Sequence, residues 1–153
     1  FRTLSLYPKG NNGDNGLGYV SLYLSIEELP PNQTVHVNYK LFVHNKLQNK
    51  YLTIQVIEIF VDTDEEISSF HRSKTQHGFP RFLSLKEFEN RSNGYLDEKD
   101  SCTFGAEVFV IQPAKMREES FTLIKYLTQN TFTFKIENWS KLGTDPRSKE
   151  FTL

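Results

Sequence analysis

Val20, Leu22, Leu24 and Ile26 alternate with Tyr19, Ser21, Tyr23 and Ser25. A period of two predicts a strand with one buried face. Its other face is unusual in carrying two tyrosines. Val35, Val37, Tyr39, Leu41 and Val43 alternate in the same way with His36, Asn38, Lys40, Phe42 and His44, which predicts a second long strand. Tyr51 to Val61 is rich in β-branched residues and reads as a third strand, with a bulge or break near Gln55. From Cys102 to Gln112, Phe104, Ala106, Val108 and Val110 share one face, and Glu107, Phe109 and Ile111 the other. Phe132, Phe134 and Ile136 alternate with Thr131, Thr133, Lys135 and Glu137. Arg2 to Tyr7 and Glu150 to Leu153 are shorter extended pieces.

Turn chemistry separates these runs. Pro8-Lys9-Gly10 opens an Asn/Gly-rich loop ending near Gly18, Pro30-Pro31-Asn32 breaks the next junction, and Asn93-Gly94 marks another turn. Ser84 is placed to cap a short helix through Leu85-Lys86-Glu87-Phe88, with Glu87 completing a capping box. Residues 113–130 read as a polar connector that turns apolar at Phe121, Leu123, Ile124, Tyr126 and Leu127. Many short strands and one short helix predict an all-β fold, an antiparallel β-sandwich.

Composition narrows the functional classes. The chain has 153 residues, one domain's worth, with aromatic content too high for intrinsic disorder. Its 18 Lys+Arg against 19 Asp+Glu leave a net charge of −1, which argues against a general binder of nucleic acid or acidic membrane. No apolar run approaches the roughly 20 residues that cross a bilayer. No charged-then-apolar leader is present, and a chain opening at Phe1 reads as a fragment. The single cysteine, Cys102, has no internal disulfide partner and fits a reducing, cytoplasmic compartment. Sequons at Asn32, Asn90 and Asn138 would matter only in a secreted protein.

Catalytic and metal readings find little support. A Cys102 nucleophile would need one of His36, His44, His71 or His77 as base. Cys102 is in phase with Phe104 and Ala106, which favours a buried structural thiol. Zinc spacing is missing, and His36 and His44 stand too far apart on one strand face to share an ion. Asp62, Asp64, Glu65 and Glu66 lack the calcium-loop pattern and read as a solvated acidic loop. No metal or other cofactor is expected. What remains is a surface of aromatics, with Tyr19 and Tyr23 on the non-core face of their strand and Phe70 and Phe79 flanking an expected turn at His77-Gly78. Such rings either dock a peptide or pack beneath a loop.

Several segments carry a family resemblance: Leu4-Ser5-Leu6-Tyr7-Pro8-Lys9-Gly10, Tyr19-Val20-Ser21-Leu22-Tyr23-Leu24, Lys50-Tyr51-Leu52-Thr53-Ile54-Gln55, His77-Gly78-Phe79, Asn93-Gly94-Tyr95-Leu96, Phe104-Gly105-Ala106-Glu107-Val108-Phe109-Val110, and residues 132–142, Phe-Thr-Phe-Lys-Ile-Glu-Asn-Trp-Ser-Lys-Leu. With these the chain resembles a MATH domain (meprin and TRAF-C homology), most closely the plant tandem members. The resemblance implies a sandwich of seven or eight strands. In the family the Phe-Lys-Ile-Glu-Asn-Trp-Ser strand comes first, whereas here it lies at 131–140. The expectation is a circularly permuted domain. Residues 1–112 would be the later strands of one repeat, 113–130 the connector, and 131–153 the opening strands of the next, filling the first-strand positions. The alternative is a strand swap with a neighbouring chain. The connector, fully extended, spans roughly 60 Å, which favours closure within one chain.

The resemblance also implies a non-catalytic module that binds an extended peptide in a shallow aromatic groove. By motif the groove residues correspond to Tyr23, Tyr39, Phe70 (with Ser69 an equal alternative at that position), Thr75, Gln76, His77 and Phe79. Tyr23, Tyr39 and Phe79 would give apolar contact, Thr75 and Gln76 would bond the peptide, and His77 would be a rim contact titrating near pH 6.5. His77 stands where the family has a groove Trp, and the stretch from Val56 to Ile67 is longer than usual. The expected partner is a protein or peptide, with no nucleic acid and no membrane insertion. The alternatives are a structural repeat that self-associates, as a homo-oligomer or swapped dimer, and a sugar-binding sandwich. An enzyme ranks last.

Overall fold

A computed structural model describes residues 2–55, 68–111 and 130–152. Among the described residues, eight strands form two antiparallel sheets that face one another as a sandwich. The strands are β1 (Arg2–Tyr7), β2 (Tyr19–Ile26), β3 (Val35–Asn45), β4 (Lys50–Gln55), β5 (Ser68–Phe70), β6 (Gln76–Ser84), β7 (Cys102–Ile111) and β8 (Thr131–Ile136). One sheet runs β1-β2-β6. The other runs β4-β3-β7-β8, with β5 also paired to β3. Residues 56–61 of the expected third strand, the acidic run 62–66, Gln112, the 113–129 connector and the chain ends Phe1 and Leu153 lie outside the described residues.

The predicted alternation holds on the inner faces. Val20, Leu22 and Leu24 from one sheet meet Val37, Leu41, Val43, Phe104, Ala106 and Val108 from the other, all essentially without exposure. Burying a side chain of this kind is worth about 1.5–3 kcal/mol, so the two matched faces supply the drive for the layers to close. The helix α1 (Leu85–Glu89) forms as expected: Ser84 Oγ accepts from the Glu87 amide at 3.2 Å and lies 2.6 Å from the Glu87 carboxylate. Its one buried side chain, Phe88, plugs the end of the core.

Residues 76–84 are a strand, not the turn expected at His77-Gly78. The turn lies earlier, at His71 to Lys74, where the two backbones exchange hydrogen bonds of 3.1 and 2.8 Å. Gly78 and Pro80 disguise the strand in the sequence. Gly78 is required because a Cβ there would press on the Leu22 carbonyl oxygen. Pro80 sits where β6 bulges: Val20 faces Leu83 while Leu22 faces Phe79, leaving two extra residues on β6. Proline removes a ladder donor, which an edge strand tolerates. Ser21 Oγ uses the local disorder of register by donating to the Pro80 carbonyl at 2.5 Å.

The C-terminal residues bridge both sheets. β8 pairs with β7 in full register from Cys102↔Ile136 to Glu107↔Thr131. A short 3-10 turn follows at Trp139–Lys141, with Trp139 buried against Phe88 at a ring separation of 4.4 Å. The chain then runs antiparallel along the outer edge of β1, bridging Ser5↔Arg147 and Arg2↔Phe151. The Phe151 ring stacks on Phe132 at 4.1 Å.

Candidate functional site

Strand register sorts the seven expected groove residues onto two surfaces. Leu22 and Leu24 are core residues, and they pair with Phe79 and His77, so those two side chains point between the sheets. There Phe79 meets Tyr39 of β3 at a ring separation of 6.5 Å, and His77 meets Phe70 of β5 at 4.6 Å. These two ring pairs line the margin of the sandwich where β5 and β6 approach each other. Tyr23 and Ser25 face the other way and pair with Gly78 and Gln76. Tyr23 and Gln76 therefore belong to the outer face of the three-stranded sheet. Thr75 is exposed just before β6, its carbonyl accepting from the Ile26 amide at 2.8 Å.

Burial differs sharply among the seven. Tyr39 is 3% exposed and Phe70 fully buried, both inside the core. Tyr23 is 5% exposed although it lies on the outer face. The Asn/Gly loop explains this. Asn11 caps its 3-10 turn at Asn12–Asp14, and Asn11 N donates to Ser21 Oγ at 2.9 Å, drawing the loop onto the sheet. Asp14 then reaches the Tyr23 hydroxyl, and the Tyr7 ring packs edge-on at 5.6 Å. The non-core tyrosine is thus packed beneath a loop. The surface that the free chain presents here consists of Thr75, the Gln76 amide, part of the Phe79 ring and the β6 backbone.

Electrostatics follow from these positions. Burial, reinforced by the Asp14 carboxylate, holds the Tyr23 phenol above its ordinary range. His77 is shifted down, chiefly by burial, with Lys74 and His71 adding in the same direction and the Ser69 carbonyl opposing. His77 Nε2 lies 3.0 Å from that carbonyl, and a carbonyl only accepts, so Nε2 carries the proton in the neutral ring. Its protonation therefore falls below the pH 6.5 that an unperturbed ring would give. Gln76 Nε2 donates to Ser25 Oγ at 3.1 Å, and Ser25 Oγ is 3.2 Å from Ser5 Oγ, a polar row across the outer face.

The sequence reading missed Asp14, Asn11 and Ser25, whose roles depend on contacts across strands and loops. The one signal for Asp14 was its place in an Asn/Gly-rich loop next to a tyrosine-bearing strand. Cys102 is fully buried, and burial raises its thiol to about 12. Among the described residues no group of three or more His, Cys, Asp or Glu is placed to hold a metal ion, and no helix is long and apolar enough to cross a membrane. No curated protein matches the chain. The family model of the MATH domain, a non-catalytic protein–protein interaction module, matches residues 2–108, and the chain belongs to that family.

Proposed function

We propose that the chain is a non-catalytic adaptor module that docks an extended segment of a partner protein along β6. The observation that carries the reading is the position of β6. It is an end strand of its sheet, paired among the described residues with β2 alone, and the half-buried Phe79 ring lies on it. An open strand edge offers main-chain donors and acceptors to an added strand, and neighbouring side chains select what is added. Thr75 and Gln76 supply polar contacts at one end. Phe79, backed by Tyr39, and His77, backed by Phe70, supply the apolar wall. Tyr23 acts from the outer face, holding Gly78 and the local backbone in place.

The test is panning of a randomised peptide library against the full chain, followed by amide shift mapping with a selected peptide. Shifts concentrated at 69–79 support the reading. Shifts confined to the outer face of the five-stranded sheet, around Phe42 and Tyr51, defeat it.

A second reading is favoured by the C-terminal strands. The family match ends at residue 108, yet residues 131–152 pair with both β7 and β1. We propose that these strands fill the first-strand positions of a permuted domain, as the opening ribbon of a following repeat. A structural, self-associating repeat would use the same strands between chains. Sedimentation at rising concentration separates the two, since closure within one chain leaves the mass unchanged.

A further inference from the structure

The segment that crosses from β5 in one sheet to β6 in the other, and on into α1, has an unusual charge balance. From Ser68 to Lys86 the chain carries Arg72, Lys74, Arg81 and Lys86 and not one Asp or Glu, although carboxylates outnumber cations over the whole protein. All four cations are exposed. Arg81 is engaged, donating through Nε to the Asn15 carbonyl at 3.0 Å and lying over the Tyr19 ring. Arg72 and Lys74 occupy the His71–Lys74 turn beside Thr75 and form no ion pair among the described residues. Two carboxylates at β2 are already committed: Asp14 accepts from Tyr23, and Glu27 pairs with Arg147 at 2.9 Å.

We propose that the segment docked along β6 is acidic, a carboxylate-rich stretch of a partner protein whose Asp or Glu side chains lie against Arg72 and Lys74. This rests on the docking reading above and adds the chemistry of the ligand. Two cations with no ion pair among the described residues, at one end of an open strand edge, give an added strand a preferred direction as well as a preferred charge. A strand laid on β6 with its acidic end at the 71–74 turn gains both ion pairs, and the reversed strand gains neither. The cost of forming the site is low, because these exposed cations have no ion pair among the described residues to give up when the ligand arrives. A protein ligand is favoured over a nucleic acid because the chain's net charge is −1, and a polyanion tracking the surface would meet its other carboxylates.

The experiment pans randomised dodecapeptides at 0.15 M salt against the wild-type chain and the double variant Arg72→Glu/Lys74→Glu. Both replaced side chains are exposed, and thermal melts confirm that the variant folds. The expected result is enrichment of Asp and Glu near one end of the wild-type peptides. Affinity of a selected peptide should fall on the order of tenfold in the variant, as expected for two exposed ion pairs turned repulsive. It should also fall as salt rises, because exposed charges are screened. Peptides that map to β6 but show no acidic bias, or bind the variant equally well, overturn the acidic preference and leave docking intact. Failure to select any peptide overturns docking and the preference together. Tighter binding of a random single-stranded oligonucleotide than of any peptide overturns the choice of ligand class.

Discussion

The hydroxyl of Tyr23 donates to a carboxylate oxygen of Asp14 at 2.7 Å, and Asn11 Nδ2 stands 3.0 Å from the same oxygen. This contact ties the 11–15 loop to the middle of β2 and explains how a tyrosine on the outer face of a sheet becomes buried. Because burial first and Asp14 second raise the phenol, the sign of the pH effect is fixed. A group whose folded-state pKa is raised contributes its full stability below the unfolded value and loses it as pH climbs through the folded one. Tyr23→Phe should cost about 1 kcal/mol at neutral pH for the lost hydrogen bond. Above about pH 10, where an unfolded tyrosine ionises, the gap between wild type and variant should narrow. Thermal melts of both proteins from pH 7 to 11 check this, and a constant gap would remove the buried-phenol account.

Glycine requirements distinguish two positions. A Cβ on Gly105 would run into the Phe42 ring and the Phe132 carbonyl oxygen, whereas one on Gly143 meets nothing within 4 Å. Gly105→Ala should therefore destabilise by about 1–3 kcal/mol, the usual range for overpacking. Gly143→Ala should stay within about 0.5 kcal/mol of wild type, as surface changes do. Urea melts of the pair give the comparison directly. Equal stabilities would mean that β8 does not lie against Gly105.

Acid should act on the Asp100 contact. Its carboxylate accepts from Ser140 Oγ at 2.6 Å and from the Ser140 amide at 2.8 Å, and these two bonds pull it below the usual carboxylate range. A lowered folded pKa gives stability that is present above the unfolded value, near 4, and is lost as pH falls through the folded one. Protection of the Ser140 amide against hydrogen exchange should accordingly drop as pH falls below about 4. In Asp100→Asn that acid-dependent part of the loss should vanish.

Legibility followed the scale of the interactions involved. Strand β2 could be read from Val20, Leu22, Leu24 and Ile26 because four apolar residues alternate with Tyr and Ser, although both faces are buried in the fold. The Ser84 cap could be read because both of its partners lie within three residues. β6 could not be read, since Gly78 and Pro80 are turn signals locally and become strand residues only because a neighbouring backbone and a bulge require them. The groove residues were placed by resemblance, which carried no information about depth. That Tyr23 is covered depends on Asp14 and Ser21 acting together, a contact between a loop and a strand that no periodicity records. The burial of Tyr39 was written in its own strand, where it alternates in phase with Val37 and Leu41.

Trp139 should be the single most costly truncation in the C-terminal strands. Its ring lies 4.4 Å from Phe88 and 6.2 Å from Phe104, and it is 6% exposed. Trp139→Ala should cost about 3–5 kcal/mol, combining lost transfer energy with the cavity left behind. The more telling readout is Cys102, which pairs with Ile136 across the β7–β8 ladder. Burial raises its thiol to about 12, with Lys46 opposing, so at pH 8 it is protonated, fully buried and inert to a thiol reagent. Labelling then proceeds only through opening of the structure, at a rate that reports the population of open states. If Trp139 pins β8 in place, Trp139→Ala should speed Cys102 labelling far more than a mutation of equal cost on β2, such as Leu24→Ala, does under native conditions. Equal acceleration would mean that Cys102 is exposed only by global unfolding, and that β8 has no opening of its own.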